Sequence, residues 1–257
     1  MLLTVDVSNR LTGLVLWQAD RAVHQWHLAT DARRTTDELR WLLSGLLARD
    51  KVVLEDIEGC CLASVVPDAT PATATALAGL LKAPVLTVGP GMRTGLRIRT
   101  DDPREVGPDR VANALAAIAH GPGAAIVLDF ATALTIDIVN AAGDYLGAII
   151  APGLEAAAAG LTGRTARLVP VELVPPAQVV AQSTTASLQS GCVLGYAGLV
   201  EGLLARAKLS VGEAKVIATG EAPWLNELLA LIEGIDLVAP LLTHEGLRLL
   251  FDRQRAR

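Results

Sequence analysis

Apolar and polar positions in the first fifty residues fall into three short apolar runs followed by a helical stripe. Residues 2–7 are apolar with Val and Thr and are closed by Ser8-Asn9-Arg10; residues 11–17 form a second apolar run. That pattern predicts two strands joined by a tight polar turn. Asp20-Arg21 supplies another turn and 22–28 a third strand. In 36–47, Leu39, Leu42, Leu43, Leu46 and Leu47 recur at helical spacing, with Thr35 or Thr36 available as the N-cap. Beyond it, 60–66 reads as a strand ended by Pro67, 72–81 as a helix, 84–88 as a strand and 111–119 as a helix. The intervening 89–104 is rich in Gly, Pro and charge and reads as a surface loop.

The opening pattern then returns. Leu3 through Val15 can be laid on Ile126 through Ile138 at an offset of 123 residues, matching Asp6 with Asp129 and Leu11-Thr12 with Leu134-Thr135. The second copy continues into a turn at Ala142-Gly143-Asp144 and a run at 145–150. A repeat near half the chain length predicts two similar α/β halves, each opening with an antiparallel meander; the alternative is two ordinary strand pairs alike by chance. An Asp at the end of a buried strand needs water, a cation or a partner. A turn just after it can aim backbone N–H groups at phosphate oxygens. In the plainer reading, Asp6 and Asp129 only end strands and accept turn hydrogen bonds.

Composition narrows the classes. With 257 residues, 51% of them hydrophobic, and a mean hydropathy of +0.42, the chain has material for one large or two modest cores. Only eight residues are aromatic, so the core must be aliphatic. A net charge of −5 with a pI near 5.4 argues against nucleic acid as a partner, which would want a basic face and stacking rings. The longest apolar tracts, 124–139 and 146–161, are interrupted by Asp129 and Asp137 and by Pro152 and Glu155, short of the roughly 18 residues of a membrane span. No basic leader precedes the first apolar run, and Asp6 comes too early for a signal peptide. Cys60, Cys61 and Cys192 have no metal-ligand or disulfide-framework spacing, which fits a reducing, cytoplasmic setting. His24, His27, His120 and His244 make no zinc motif.

Taken in order, several segments resemble the type III pantothenate kinases, of the actin-like sugar kinase and Hsp70 superfamily. MLLTVDVSNR is similar to that family's first phosphate motif, Asp-x-Gly-Asn-Thr. The run from Asp102 to Ala114 resembles its Pro-x-Glu-Val-Gly-x-Asp-Arg-x-x-Asn-Ala segment, and Leu128 to Asp137 its second phosphate motif, Asp-Phe-Gly-Thr-Ala-Thr-Thr-x-Asp. Gly143-Asp144-Tyr145-Leu146-Gly147 with Ile150-Ala151-Pro152-Gly153 follows, then Leu161, Thr165-Ala166, Leu168 and Pro170. Ser183 to Gly191 is similar to Asn-Thr-x-x-Ala-x-Gln-x-Gly.

The resemblance implies an α/β fold of two RNase H-like (actin-like ATPase) domains with a nucleotide cleft between them. They are expected at 1–115, with the first phosphate motif, and 116–257, with the second. It implies ATP-dependent phosphorylation of pantothenate to 4'-phosphopantothenate, the first step of coenzyme A synthesis. Asp109 would be the catalytic base, and Gly107, Pro108, Asp109 and Arg110 would frame pantothenate together with Thr184. Asp6, Val7, Ser8, Asn9, Arg10, Leu11, Thr12 and Gly13 would line the ATP phosphates, and Thr132 would also contact ATP. Asp6 would hold Mg²⁺, and Asp129 a monovalent cation, K⁺ or NH₄⁺. A homodimer with sites completed across its interface is implied as well, neither nucleic acid nor membrane being a partner. The residues themselves leave Asp109 a second reading, as N-cap of the 111–119 helix.

The chain departs from the family where phosphate is expected. Ser8 and Ala131 replace motif glycines, Arg10 and Leu134 replace threonines, and Glu221 stands in place of a glycine near the adenosine. Thr100 and Asp102 stand where Tyr and Asn are common, and Ser183 replaces an Asn. If the altered glycine positions are left-handed, each substitution strains its turn by roughly 1 kcal/mol or more. Arg10 can grasp a phosphate or lean on Asp6 or Asp129 when nucleotide is absent. These departures keep open an alternative function, a weakly active or non-catalytic homologue that acts by binding.

Overall fold

The computed structural model describes residues 1–255. In chain order it contains β1 (Leu2–Val7), β2 (Leu11–Gln18), β3 (Arg21–Ala29), α1 (Thr36–Arg49), β4 (Gly59–Ser64), α2 (Thr70–Leu80), β5 (Val85–Thr87), β6 (Arg97–Ile98) and α3 (Pro108–Ala119). There follow β7 (Ala124–Phe130), β8 (Ala133–Val139), β9 (Asp144–Pro152), α4 (Leu154–Gly163), α5 (Thr184–Gln189), α6 (Gly195–Val211), β10 (Ala214–Gly220), α7 (Leu225–Leu229), β11 (Leu237–Val238) and α8 (Leu242–Arg255). The chain divides into two compact units. One comprises Met1–Leu96, Asp101–Ala116 and the segment from Leu241 on; the other comprises Arg97–Thr100 and Ala117–Pro240. Apart from the short excursion at Arg97–Thr100, the chain passes from the first unit to the second after Ala116, inside α3. The C-terminal helix belongs to the first unit, whereas the expected boundary at 115/116 puts it in the second.

Each unit has one sheet, and the two sheets share a topology. The first runs β3-β2-β1-β4-β5; the second runs β11-β10-β7-β8-β9-β6. In both, a central strand pairs antiparallel with the next strand of a meander on one side and parallel with a later strand on the other: β1 with β2 and β4, β7 with β8 and β10. The duplication is therefore structural. One detail differs from the sequence alignment. Asp6 lies opposite Gly13, but Asp129 lies opposite Thr135, so the second turn is one residue shorter and the coincidence of the two Leu-Thr pairs is off by one position.

In the first unit, Leu3, Val5, Val7, Leu14 and Leu16 alternate onto one face and form an aliphatic core that includes Leu43 and Leu47 of α1 and Ala76 and Leu77 of α2. Helix α1 begins at Thr35 with a full capping box: the Thr35 hydroxyl accepts from the Glu38 N–H at 3.3 Å, and Glu38 accepts from the Thr35 N–H at 2.7 Å. In the second unit, Ile126, Leu128, Phe130, Leu134 and Ile136 meet Tyr196, Val200 and Leu204 of α6. Helices α5 and α6 run on through a π turn at Ser190–Leu194. The continuous run Thr184–Val211 is long and apolar enough to cross a bilayer by length and composition, which the sequence reading missed; a third of its most apolar window is buried within the chain.

The segment 89–104, expected as surface loop, contains β6, which adds to the edge of the second sheet beside β9. Asp144 anchors it, accepting from Arg99 Nε at 3.0 Å. All three cysteines are free thiols. Burial raises the Cys60 pKa and pushes that of Cys61 up to about 12, so both are unreactive in the folded chain.

Helix α8 packs on β1 and β4. Its His244 is buried, and desolvation, with the nearby His27 adding a little, lowers its pKa to about 3. The folded protein thus keeps this imidazole neutral, while the unfolded chain takes up a proton below about pH 6.5. Its share of stability is complete above that value and is lost as pH falls, at up to ~1.4 kcal/mol per pH unit. Urea unfolding between pH 7 and 5 should show this slope, and H244Q should flatten it.

Candidate active site

The first turn lies between the ends of β1 and β2. Ser8 N–H donates to Leu11 O at 3.0 Å, and Val7 O accepts from Val65 N–H at 3.0 Å. Arg10 O accepts from Thr30 N–H at 2.9 Å, and the Thr12 and Thr30 hydroxyls are 2.8 Å apart. The turn is thus tied to both β3 and the end of β4. Asp6 is half-buried, and the Ser8 hydroxyl donates to its Oδ2 at 3.0 Å. Both readings of Asp6 are therefore compatible: it accepts a turn hydrogen bond and sits at the mouth of the turn. Asn9 and Arg10 are exposed, and Ser8, Leu11 and Thr12 are partly exposed. Val7 and Gly13, both expected to line phosphate, are buried. The side chain of Val7 belongs to the core, and Gly13 is a ladder residue of β2. The turn itself is only three residues long, so its flanks are occupied by sheet pairing.

None of the substituted positions is left-handed. The non-glycine residues with positive φ are Ala19 and Lys51, so Ser8, Arg10, Ala131 and Glu221 carry no backbone strain of that kind.

Helix α3 begins with Pro108 at its first position, where a missing N–H costs nothing. Asp109 is one residue further in, so it is not the N-cap that one sequence reading made it. Its Oδ1 accepts from the Arg110 N–H at 2.8 Å. A Cβ on Gly107 would lie 2.4 Å from that oxygen, and Val65 Cγ1 is also near. Gly107 is glycine because the carboxylate occupies the space a side chain would need. Desolvation raises the Asp109 pKa, only partly offset by the Arg110 N–H and guanidinium. A raised pKa makes this carboxylate a better base than an exposed Asp.

The second turn, Ala131-Thr132, is held between two glycines. Gly153 N–H donates to Thr132 O at 3.1 Å, and a Cβ at 153 would come within 2.4 Å of Ala131 O. Gly220, at φ +137°, would place a Cβ 2.3 Å from Phe130 O. Only glycine allows both that φ and that approach. Ala131 and Thr132 are exposed, and Asp129 is half-buried at the end of β7. Thr184 is the exposed first residue of α5, whose N-cap Ser183 accepts from Ala186 N–H at 3.2 Å.

Two other motif residues are structural. Asp137 is fully buried in β8 and accepts from the Tyr145 hydroxyl at 2.6 Å. Asn113, also fully buried, accepts from Thr243 Oγ1 at 2.8 Å and so ties α3 to α8. Thus Asp6, residues 8–12 and Gly107–Arg110 belong to the first unit, and Asp129, Thr132 and Thr184 to the second.

Two sheets of the same topology, each with an Asp one residue before the end of its central strand, give the fold of the actin-like ATPases and sugar kinases. The fold is similar to that of ROK hexokinase from Thermus thermophilus (TM-score 0.50, 14% identity, covering 100% of this chain and 99% of that one). It is likewise similar to that of ethanolamine utilization protein EutJ from Carboxydothermus hydrogenoformans (TM-score 0.55, 13% identity, 96% and 89%). Within that class the chain belongs to the type III pantothenate kinase family, whose sequence model matches residues 2–206. It is 41% identical to the type III pantothenate kinase of Acidothermus cellulolyticus over 98% of both chains. It is 40% identical to that of Roseiflexus sp. over the full length of both.

G107A should push the Asp109 carboxylate off the Arg110 N–H. A displacement near 1 Å costs about 10²-fold in turnover, while the melting temperature should shift little. Steady-state kinetics beside a thermal melt would check both.

Proposed function

We propose that this chain transfers the γ-phosphoryl group of ATP to the hydroxyl of pantothenate, giving 4'-phosphopantothenate for coenzyme A synthesis. The observation that carries the reading is the Asp109 carboxylate. It is desolvated, fixed by one backbone N–H, and given room by Gly107, inside a chain that matches this kinase family along its length. Asp109 accepts the proton of the attacking hydroxyl. Gly107, Pro108 and Arg110 frame pantothenate, and Arg110 offsets charge on the transferring group. Phosphoryl transfer depends more on positioning and charge neutralisation than on a strong base, so one modestly activated carboxylate suffices.

The segment 8–12 offers Ser8, Asn9, Arg10 and Thr12 to the ATP phosphates, and Thr132 is a further ATP contact implied by the family. Mg²⁺ supplies charge neutralisation when bound. Among the described residues no three His, Cys, Asp or Glu side chains form a metal cluster. Asp6 with phosphate oxygens and water fits the way Mg²⁺ is commonly held, through one or two carboxylates plus substrate. Asp129, half-buried at its strand end, fits a monovalent cation. Thr184 reaches pantothenate in a homodimer, and the apolar side chains exposed at Leu161, Val179 and Val180 suit such an interface. The free thiols suit a cytoplasmic setting. The alternative, a weakly active or non-catalytic homologue that acts by binding, rests on Arg10 and Glu221 as well as on the replaced glycines; Ser8 and Ala131 have ordinary φ, and the charges at 10 and 221 are what an ATP-binding titration with Mg²⁺ and K⁺ would test.

D109N should abolish phosphorylation of pantothenate while leaving fold and melting temperature unchanged or slightly raised, because a buried charge is removed. A D109N enzyme with wild-type turnover would reduce Asp109 to a structural residue.

In the wild type, activity requires the carboxylate form. The acid limb of kcat/KM should therefore lie above the ordinary carboxylate range and activity should rise with pH through it. An acid limb at the value of an exposed Asp would show that this group does not titrate in the rate.

A further inference from the structure

The face of the first sheet opposite its main core carries a closed set of buried polar groups. Trp17 Nε1–H donates to Thr4 Oγ1 at 2.8 Å. Thr4 Oγ1 is 2.9 Å from His244 Nδ1 and 3.3 Å from Val15 O. A threonine hydroxyl donates once and accepts twice. With the Trp17 and His244 N–H groups as donors, its own proton goes to Val15 O and each bond is satisfied. That accounting assigns the proton of the neutral ring to Nδ1.

The positions of these groups matter more than their number. Thr4 and Asp6 are two residues apart on β1 and so share a face. Gly13 is the ladder partner of Asp6, and a Cβ at 13 would lie 2.9 Å from His244 Nε2. One imidazole therefore meets both the same-face neighbour of Asp6 and its cross-strand partner. Four residues along α8, the Arg248 guanidinium lies 5.5 Å from the Trp17 ring centroid, so the helix grips the same hairpin twice. Gly13 is glycine here to admit the ring, a reason other than the approach to phosphate that its place in the sequence suggested.

We propose that His244 is a positioning residue for the first phosphate turn: from α8 it sets the Asp6–Gly13 ladder pair through its hydrogen bond to Thr4 and its ring against Gly13. The proposal rests on the kinase reading for what the turn does, and extends it to a helix more than 200 residues away in sequence. The neutral ring acts by shape and hydrogen bonding. Its removal should therefore change how Asp6 and the turn receive MgATP and leave the pantothenate side untouched.

T4V keeps the shape of Thr4 and removes its hydroxyl; H244F keeps a ring and removes Nδ1. Both should raise KM for MgATP by roughly 10-fold, the lower end of what loss of support around a metal-holding group costs, with KM for pantothenate unchanged. The double variant should be no worse than the poorer single one, since both break one bond. H244N, whose amide reaches the Nδ1 position, should restore most of the MgATP affinity. Amide hydrogen exchange should quicken across 4–14 in T4V and H244F and stay unchanged in α1. Folded variants with wild-type KM values and wild-type exchange in the hairpin would overturn the proposal. If H244F fails to fold, T4V carries the same test alone. A wild type unable to phosphorylate pantothenate would sink the kinase reading. Hairpin exchange would then decide the positioning role: faster in the variants supports it, unchanged overturns it.

Discussion

A carboxylate at the end of a strand that is otherwise buried governs both halves of this molecule. β1 and β7 are each central in their sheet and covered along nearly all of their length, and each breaks that cover only at an Asp one residue from its end. Burying such a charge fully would cost several kcal/mol without a partner. The strand therefore delivers it to the rim of the sheet, where a short turn begins. The meander on one side and the parallel strand on the other brace the central strand, so the carboxylate is presented on a rigid support. That is the arrangement a group holding a cation or phosphate needs.

The two turns that follow are held by different means. In the first, side chains do much of the work: the Ser8 hydroxyl holds Asp6, and Thr12 meets Thr30. In the second, backbone packs directly on backbone, with Gly153 and Gly220 admitting the carbonyls of Ala131, Thr132 and Phe130. This explains which glycines the chain retains and which it has lost. Gly153 and Gly220 cannot carry a side chain. The positions of Ser8, Ala131 and Glu221 have ordinary φ and carry one without strain.

Much of the motif chemistry turns out to be support for the fold. Asn113 fastens α3 to α8, Asp137 is a buried acceptor for Tyr145, and Gly246 of α8 lies against the backbone of Ala112, where a Cβ would come 2.0 Å from the Ala112 carbonyl oxygen. The helix bearing Asp109 is thus clasped by the C-terminal helix, which also touches the first hairpin through His244. Asp109 and the first turn thus share one scaffold element, α8.

The strands of both meanders, the capped helix after the first and the repeat itself were legible in the chain because each follows from local periodicity and turn chemistry. Asp6 and Asp129 could be picked out for a similar reason, as a charge at the end of an apolar run, whereas Asp109 came from the resemblance of 102–114 to a family segment. The return of α8 to the first unit, the strand hidden in 89–104 and the burial of Gly13 and Val7 were not legible. Each depends on contacts between residues far apart in sequence, and a two-residue strand or a ring set against a glycine leaves no local signature. Whether Ser8 and Ala131 strain their turns was likewise invisible, since φ is set by how the sheets brace the turns. Sequence alone determined the repeated architecture and picked out the candidate carboxylates. Tertiary packing decided which glycines are obligatory, that burial lifts the Asp109 pKa, and which distant helix packs on the first hairpin.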